Sequence, residues 1–400
     1  MKKRIVIIVL SVLSIMIFSN ALKFVPKEYD FLTYVPDLTT LYNEIKKTNT
    51  GDIFANQVGL EQMIKGVIEQ QLMVENYTLE DIDIFKELLI AVNKDEVLFV
   101  IGPSQHPDKI KDILEKFTGQ TLPEDVKIED GYFIIGKNYG GGAIPQNLND
   151  YLSKGYLAVS YVNTREDKYE IKGYGYLESK DNTLSFYNEI VPQNDETRNL
   201  INEVSMQKGE EILKDENIGG DVFAFVNRKL PDFIMGLISS AATDNEYFEL
   251  LNDFDGTAYL SADISSLIVD ALSGIAPSSI PYYGVIYYNS PSWDKLEVDI
   301  SKFETINGVK YGVVTSDEGT PLTYINLEND KIVLYGVSPD KYVPGNKDFV
   351  KNNYKDNYLL GLFINLEPAI FNFVGIETEA YLKVYSFIQD GKIIQQAIFK

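Results

Sequence analysis

The chain has 400 residues, a formal net charge of −23 and no cysteine. Lys and Arg number 36 against 59 Asp and Glu, which disfavours nucleic acid as a partner because that affinity rests on neutralising phosphates. The lack of cysteine excludes disulfides, cysteine-zinc sites, iron–sulfur clusters and a thiol nucleophile. The single histidine, His106, excludes multi-histidine metal sites, and the 45% of hydrophobic residues excludes general disorder.

The N-terminus has the layout of an export signal. Lys2–Arg4 are basic, Ile5–Phe18 is an apolar run, and Ser19-Asn20-Ala21 offers small residues before a cut. We therefore predict a signal peptide over 1–21 and a protein in the periplasm, on the cell surface or outside the cell. The alternative is an uncleaved N-terminal helix that anchors the protein, although the run is shorter than the roughly 20 residues that span a bilayer.

The first half of the chain is predicted to alternate strands and helices. A strand over Phe31–Val35 is followed by helices over Leu38–Lys47 and near 53–73, the latter because apolar residues recur at helical spacing. A capping box at Thr78–Asp81 predicts a third helix, with apolar residues of 84–92 on one face.

The predicted elements continue as a strand over 96–101, a helix that begins near Pro107 and a hairpin around Asp130-Gly131. The glycine run Gly140–Gly142 is interpreted as a linker or mobile loop. An antiparallel pair over 156–162 and 169–177 follows.

The second half is predicted to be richer in strands. A helical tract near 196–214 leads to a strand over 221–227 and a helix from about Leu230. The further strands expected from alternating apolar residues and turn signals are 257–262, 282–288, 296–303, 310–315, 322–325, 332–337, 381–389 and 392–399.

These elements predict an α+β fold with two lobes, over 22–205 and 206–400, each with a mainly antiparallel sheet covered by helices. One strand–turn–helix pattern recurs, with strands at Phe31–Val35, Val222–Val226 and Leu360–Ile364. An internal duplication would explain the recurrence. The alternative is that any α+β protein contains several such units.

With its exported N-terminus, its opening strand followed by Pro36-Asp37 and a helix, and the recurrence of that unit, the chain resembles the exported bacterial family catalogued as domain of unknown function 3352. The resemblance covers most of the chain after the signal and implies a fold, but it brings no catalytic residues with it.

The sequence predicts no catalytic residue, no metal site and no cofactor. It contains no Gly-x-Ser-x-Gly motif, and its Ser-x-x-Lys strings are as frequent as chance allows. The candidate binding residues are aromatic, because exposed Tyr and Trp can stack on sugars or anchor a partner. They are Tyr282, Tyr283, Tyr287, Tyr288 and Trp293. The competing interpretation is that tyrosine simply forms good strands.

Three functions remain open from the sequence. The first is a non-catalytic envelope protein that binds a protein or glycan or serves as a scaffold. The second is a hydrolase of envelope polymers that uses a pair of carboxylates. The third is a carrier of lipid or another apolar ligand.

Overall fold

The computed structural model describes residues 21–94, 96–118, 121, 126–231, 254–265, 280–294, 296 and 298–400. Over these residues the chain is mixed, with more strand than helix and antiparallel strand pairing, which confirms the α+β class. It divides into two compact units. Unit 1 comprises Met1–Arg165 and Ile171–Asn188, and unit 2 comprises Glu166–Glu170 and Glu189–Lys400. The predicted boundary at 205/206 lies further along the chain than this division.

Unit 1 is built around an antiparallel sheet. Its strands are β1 (Phe31–Val35), β2 (Glu87–Asn93), β3 (Glu96–Gly102), β4 (Val126–Glu129), β5 (Tyr132–Ile135) and most of β6 (Ala158–Glu166), β7 (Tyr169–Lys180) and β8 (Thr183–Pro192). The pairing runs β4–β5–β3–β2–β1–β6. The predicted turn at Asp130-Gly131 is confirmed, because both residues have the positive φ that a two-residue hairpin turn requires.

Along the chain, the helices of unit 1 occur in the segments before and between these strands. They are α1 (Leu38–Lys47), α2 (Asn49–Asp52), a π-helical turn (Ile53–Gln57), α3 (Leu60–Val74), α4 (Pro107–Thr118) and α5 (Gln146–Ser153), with 3₁₀ turns at Ala21–Phe24 and Leu79–Asp81. The side chain of Asp37 accepts a hydrogen bond from the N–H of Thr40 and so fixes the start of α1.

The helix predicted over 84–92 is wrong. The capping box at Thr78 and Asp81 is present, but it opens only the short turn Leu79–Asp81. Residues 87–93 form β2, which pairs with β1 on one side and β3 on the other. A continuous apolar run such as Leu88–Val92 is typical of a strand whose two faces are both covered, and its length allows a match to helical spacing as well.

The hydrophobic core of unit 1 lies against the β1–β2–β3 part of the sheet. It includes Ala21, Phe24, Leu32, Leu89 and Tyr132, all at most 2% exposed. The first described residues of the chain are therefore part of the core.

Unit 2 is a longer antiparallel sheet. Its elements are α6 (Asp195–Met206), a 3₁₀ turn (Ile212–Lys214), β9 (Val222–Asn227), β10 (Phe254–Ala262), β11 (Tyr282–Tyr288), β12 (Lys302–Ile306), β13 (Val309–Thr315), β14 (Pro321–Leu327), β15 (Lys331–Tyr335), α7 (Lys347–Asn353), β16 (Tyr358–Asn365), α8 (Glu367–Val374), β17 (Tyr381–Gln389) and β18 (Lys392–Phe399). The pairing runs β12–β13–β14–β15–β11–β10–β9–β16–β17–β18.

One sequence prediction for this part of the chain needs correction. The strand expected at 296–303 begins only at Lys302, since Leu296, Val298 and Ile300 instead pack into a hydrophobic cluster beside Trp293. The strand β8 was not predicted from the sequence. The helix expected from about Leu230 falls mainly on residues outside those that the structure describes.

The two units share an order of strand pairing. In unit 1, β1 lies between β2 and β6, β2 pairs with β3, and β3 pairs with β5. In unit 2, β9 lies between β10 and β16, β10 pairs with β11, and β11 pairs with β15. In both, a short helix, α5 or α7, precedes the strand that pairs with the first one. Unit 2 carries β12 and β13 in addition.

Candidate functional site

The most exposed apolar surface among the described helices lies on α3 of unit 1. Five side chains recur at helical spacing and share one side of the helix: Leu60, Met63, Ile64, Val67 and Val74. They are between 41% and 76% exposed. We call this set the α3 face. Large apolar side chains grouped in this way are typical of a surface that contacts another molecule.

The opposite side of α3 carries the side chains that attach the helix to unit 1. Leu72 is its only fully buried residue, and Ile68 is half-buried. The carboxylate of Glu61 forms ion pairs with Lys46 on α1 and with Lys65 one turn further along α3. Hydrogen bonds from these two ammonium groups hold the pKa of Glu61 at about 2. On α3, Leu72 is thus buried and Glu61 is ion-paired, whereas the side chains of the α3 face are exposed to solvent.

The α3 helix offers little positive charge beside its apolar side chains. Its one lysine, Lys65, is already paired with Glu61, and Glu69 is exposed on the same helix. Tyr42 and Ile45, which are exposed on α1, add apolar area in the same segment of unit 1. A partner would therefore bind this surface mainly through apolar contacts. The protein that it binds carries a net charge of −23.

Unit 1 also contains an open cleft of about 400 Å³. Its lining is mixed, with Lys27, Glu28, Asn93 and Asn138 beside Pro26, Tyr139 and Gly140. It is neither a closed apolar cavity nor a site where two carboxylates face each other, the features expected of a carrier or of an acid-pair hydrolase.

The glycine run beside this cleft is held by the backbone of 24–26. The N–H groups of Gly140 and Gly142 donate to the carbonyls of Phe24 and Val25. A Cβ at Gly142 would lie 1.9 Å from the carbonyl oxygen of Pro26, so only glycine allows this approach. The predicted linker is therefore part of the packing of unit 1.

The predicted aromatic residues lie on β11 and just after it, and they are largely committed to packing. Tyr283 and Tyr288 are buried, and the hydroxyls of Tyr282 and Thr323 are hydrogen-bonded. Tyr287 is half-buried against the core cluster of unit 2. The ring of Trp293 packs edge-on against Phe303, at 5.1 Å between centroids.

The carboxylate of Asp215 in unit 2 accepts hydrogen bonds from two tyrosines. The hydroxyls of Tyr259 and Tyr283 both donate to one oxygen of Asp215, at 2.6 and 2.7 Å. Burial, together with the hydrogen bond to Asp215, raises the pKa of both tyrosines far above its ordinary range. These phenols therefore remain protonated donors, which is a structural role.

A second carboxylate, which sequence reasoning missed, is Asp221 at the start of β9. It is 4% exposed and accepts hydrogen bonds from the N–H groups of Ile264 and Ser265. Burial and the nearby carboxylate of Asp263 raise its pKa to about 6. The sequence signal was the preceding Gly219-Gly220, since a Cβ at Gly220 would lie 2.3 Å from the carbonyl oxygen of Ala262.

Three further observations concern metal ligands, membrane-spanning helices and similarity to known proteins. Among the residues that the structure describes, no group of three or more His, Asp or Glu side chains could hold a metal ion. Of the described helices, none has the length and apolar character to cross a membrane. The chain matches no protein-family model, no curated protein and no solved structure.

Proposed function

We propose that this chain is an exported, non-catalytic envelope protein that binds a partner protein through the α3 face. The observation that carries the proposal is the exposure of five apolar side chains on α3. The carboxylates of Asp215 and Asp221 are satisfied by tyrosine hydroxyls and backbone N–H groups and therefore serve the fold. The predicted export signal, Lys2–Arg4 followed by Ile5–Phe18, supports a place in the envelope.

The charge of the molecule favours a protein partner over a lipid surface. Helices that lie on anionic membranes are rich in Lys and Arg on the polar side. The α3 helix instead has a single lysine, Lys65, which is paired with Glu61, and it exposes Glu69 and the neutral Gln70. With a net charge of −23 on the chain, a complementary partner has an apolar groove or patch with basic residues at its rim, which would also accelerate association by electrostatic attraction.

We also propose that the two units arose by duplication of one α+β module, in line with the two predicted lobes and the resemblance to domain of unknown function 3352. The shared order of strand pairing supports this proposal. The correspondence of β1 with β9 agrees with the recurrence at Phe31–Val35 and Val222–Val226. The third copy of the pattern, at Leu360–Ile364, lies on β16, which occupies the place of β6 and not of β1.

The test of the binding function is photo-crosslinking in cells that produce the full chain. A photoreactive amino acid replaces Val67 on the α3 face or, as the control, Val343 in unit 2, which is 77% exposed. We expect a discrete protein adduct at position 67 and none at 343.

A second variant tests whether the adduct depends on apolar contact. Val67→Asp, with the photoreactive residue moved to Met63, should abolish the adduct, whereas Val343→Asp should leave it intact. Lipid adducts at 67, or equal labelling at 67 and 343, would contradict a protein partner for the α3 face.

A further inference from the structure

The 3₁₀ turn at the start of the described chain is enclosed in unit 1. Ala21 and Val25 have no exposed surface, and Phe24 is 2% exposed. The ring of Phe24 packs edge-on against Tyr132 at 5.3 Å between centroids. The last residue of the predicted export signal, Ala21, is thus a core residue, as are Phe24 and Val25 shortly after it.

The nitrogen of Ala21 has a specific acceptor. Its N–H donates to Oε2 of Glu87 on β2, at 2.7 Å. The hydroxyl of Tyr34 on β1 donates to the same oxygen at 2.9 Å, and the hydroxyl of Tyr132 on β5 donates to Oε1 at 3.0 Å. Three elements of unit 1 therefore converge on one carboxylate, and Ala21 supplies one of its three donors.

We propose that Ala21 is retained in the folded protein, and that any cut by a signal peptidase falls on its N-terminal side. This proposal does not depend on the α3 face. It places any signal-peptidase cut before Ala21, whereas the sequence predicts the cut after Ala21. Hydrolysis of the Ala21–Leu22 bond would carry Ala21 away with the signal and leave the new α-amino group on Leu22. Glu87 would lose one donor, and the space that encloses the Ala21 methyl group would be empty.

The following residues could not shift to replace Ala21. The N–H of Val25 donates to the carbonyl of Leu22, and Phe24 and Val25 accept hydrogen bonds from the glycine run at Gly140 and Gly142. Moving the Leu22 nitrogen to the position of the Ala21 nitrogen requires one residue of travel, about 3.8 Å between Cα positions. Because the segment would move as a whole, that travel would break the two hydrogen bonds that join it to Gly140 and Gly142.

The first experiment is the intact mass of the protein, produced as the full chain and isolated from the exported or membrane fraction. We expect a mass that includes Ala21, either as the first residue with a free α-ammonium group beside Glu87 or within an uncleaved chain. The cleaved form and the uncleaved chain differ in mass, so the measurement distinguishes them. A chain that begins at Leu22 or later would overturn the proposal.

The second experiment uses the stability of the same isolated protein. Ala21→Gly keeps a small residue that a signal peptidase accepts, so processing is unchanged, but it removes a buried methyl group. If Ala21 is retained, we expect the Tm to fall by about 2–4 °C. Ala143→Gly, at an exposed position, gives the baseline for the backbone effect of glycine. A Tm unchanged from that of the parent protein would show that residue 21 is absent from the fold.

Discussion

The α3 helix of unit 1 and the α6 helix of unit 2 have apolar residues at the same kind of spacing but place them differently. In α6, Ile201 and Val204 are buried, and the side chain of Asn194 accepts a hydrogen bond from the N–H of Thr197 to fix the start of the helix. In α3, the apolar side chains around Val67 are in solvent. Spacing therefore establishes that one side of a helix is apolar, and only the surrounding elements establish whether that side is covered.

Two carboxylates that are shielded from solvent, Glu87 in unit 1 and Asp221 in unit 2, have different hydrogen-bond donors. Glu87 in unit 1, which is half-buried, accepts from two tyrosine hydroxyls and a backbone N–H. Asp221 in unit 2 is buried and accepts from two backbone N–H groups, but it lies beside another carboxylate, Asp263. Burial and a like charge nearby both raise the free energy of an ionised carboxylate, so Asp221 carries an electrostatic cost in its ionised form.

The largest expected effect comes from a matched pair of valines. Val204→Ala on α6 removes two buried methyl groups and should lower the free energy of unfolding by about 2–3 kcal/mol, from lost transfer energy and a cavity. Val67→Ala on the α3 face should change it by less than about 0.5 kcal/mol. Denaturant titration of both variants measures the difference. Equal losses would mean that Val67 is covered in the folded protein.

A smaller effect is expected from Asp263→Asn. The pKa of Asp221 is raised to about 6, so its stabilising contribution is full below the unfolded value near 3.8 and is lost as the pH rises through 6. Removing the neighbouring charge lowers that pKa. Stability at pH 7 should then rise by about 1 kcal/mol, and its change between pH 4 and pH 7 should become smaller.

Asp317→Asn is the control, because it removes the same formal charge from an exposed turn of unit 2. Urea titrations at pH 4, 5, 6 and 7 compare the variants. An unchanged pH profile for Asp263→Asn would show that Asp263 does not raise the pKa of Asp221.

The smallest effect concerns the backbone of α3 itself. Gly66 lies inside the helix, and a Cβ there would meet no atom within 4 Å. Gly66→Ala should therefore stabilise unit 1 by about 0.5–1 kcal/mol, because alanine restricts the unfolded chain and favours helix. Thermal unfolding measures the gain, and the adduct expected at Val67 should persist. A loss of stability would indicate that the glycine is needed for packing.

Much of the fold was accessible from the sequence, because its signals are local. The terminal hairpin around Asp390-Gly391 and the strand at Tyr282–Tyr288 were predicted at the observed bounds. The residues 84–92 were assigned to the wrong element because a short apolar run fits both helical and strand spacing. Pairing with β1 and β3, which β2 meets only in the folded sheet, decided between them.

Less of the candidate site could be predicted from the sequence. The tyrosines of β11 were singled out for their composition, but their burial depends on which strands and loops cover them. The α3 face was seen in the sequence only as the apolar side of a helix. A signal was present in Met63-Ile64 and Met73-Val74, where adjacent apolar residues extend around more of the helix than one buried side requires.

The sequence by itself determined the class of fold, the helical character of 60–74 and the excluded chemistries, because composition, spacing and turn residues act within a few positions of the chain. The tertiary structure decided which side chains are covered and which carboxylates meet. The burial of Ala21 against Glu87 and the exposure of Val67 are both consequences of how segments far apart in sequence are arranged, which no local pattern specifies.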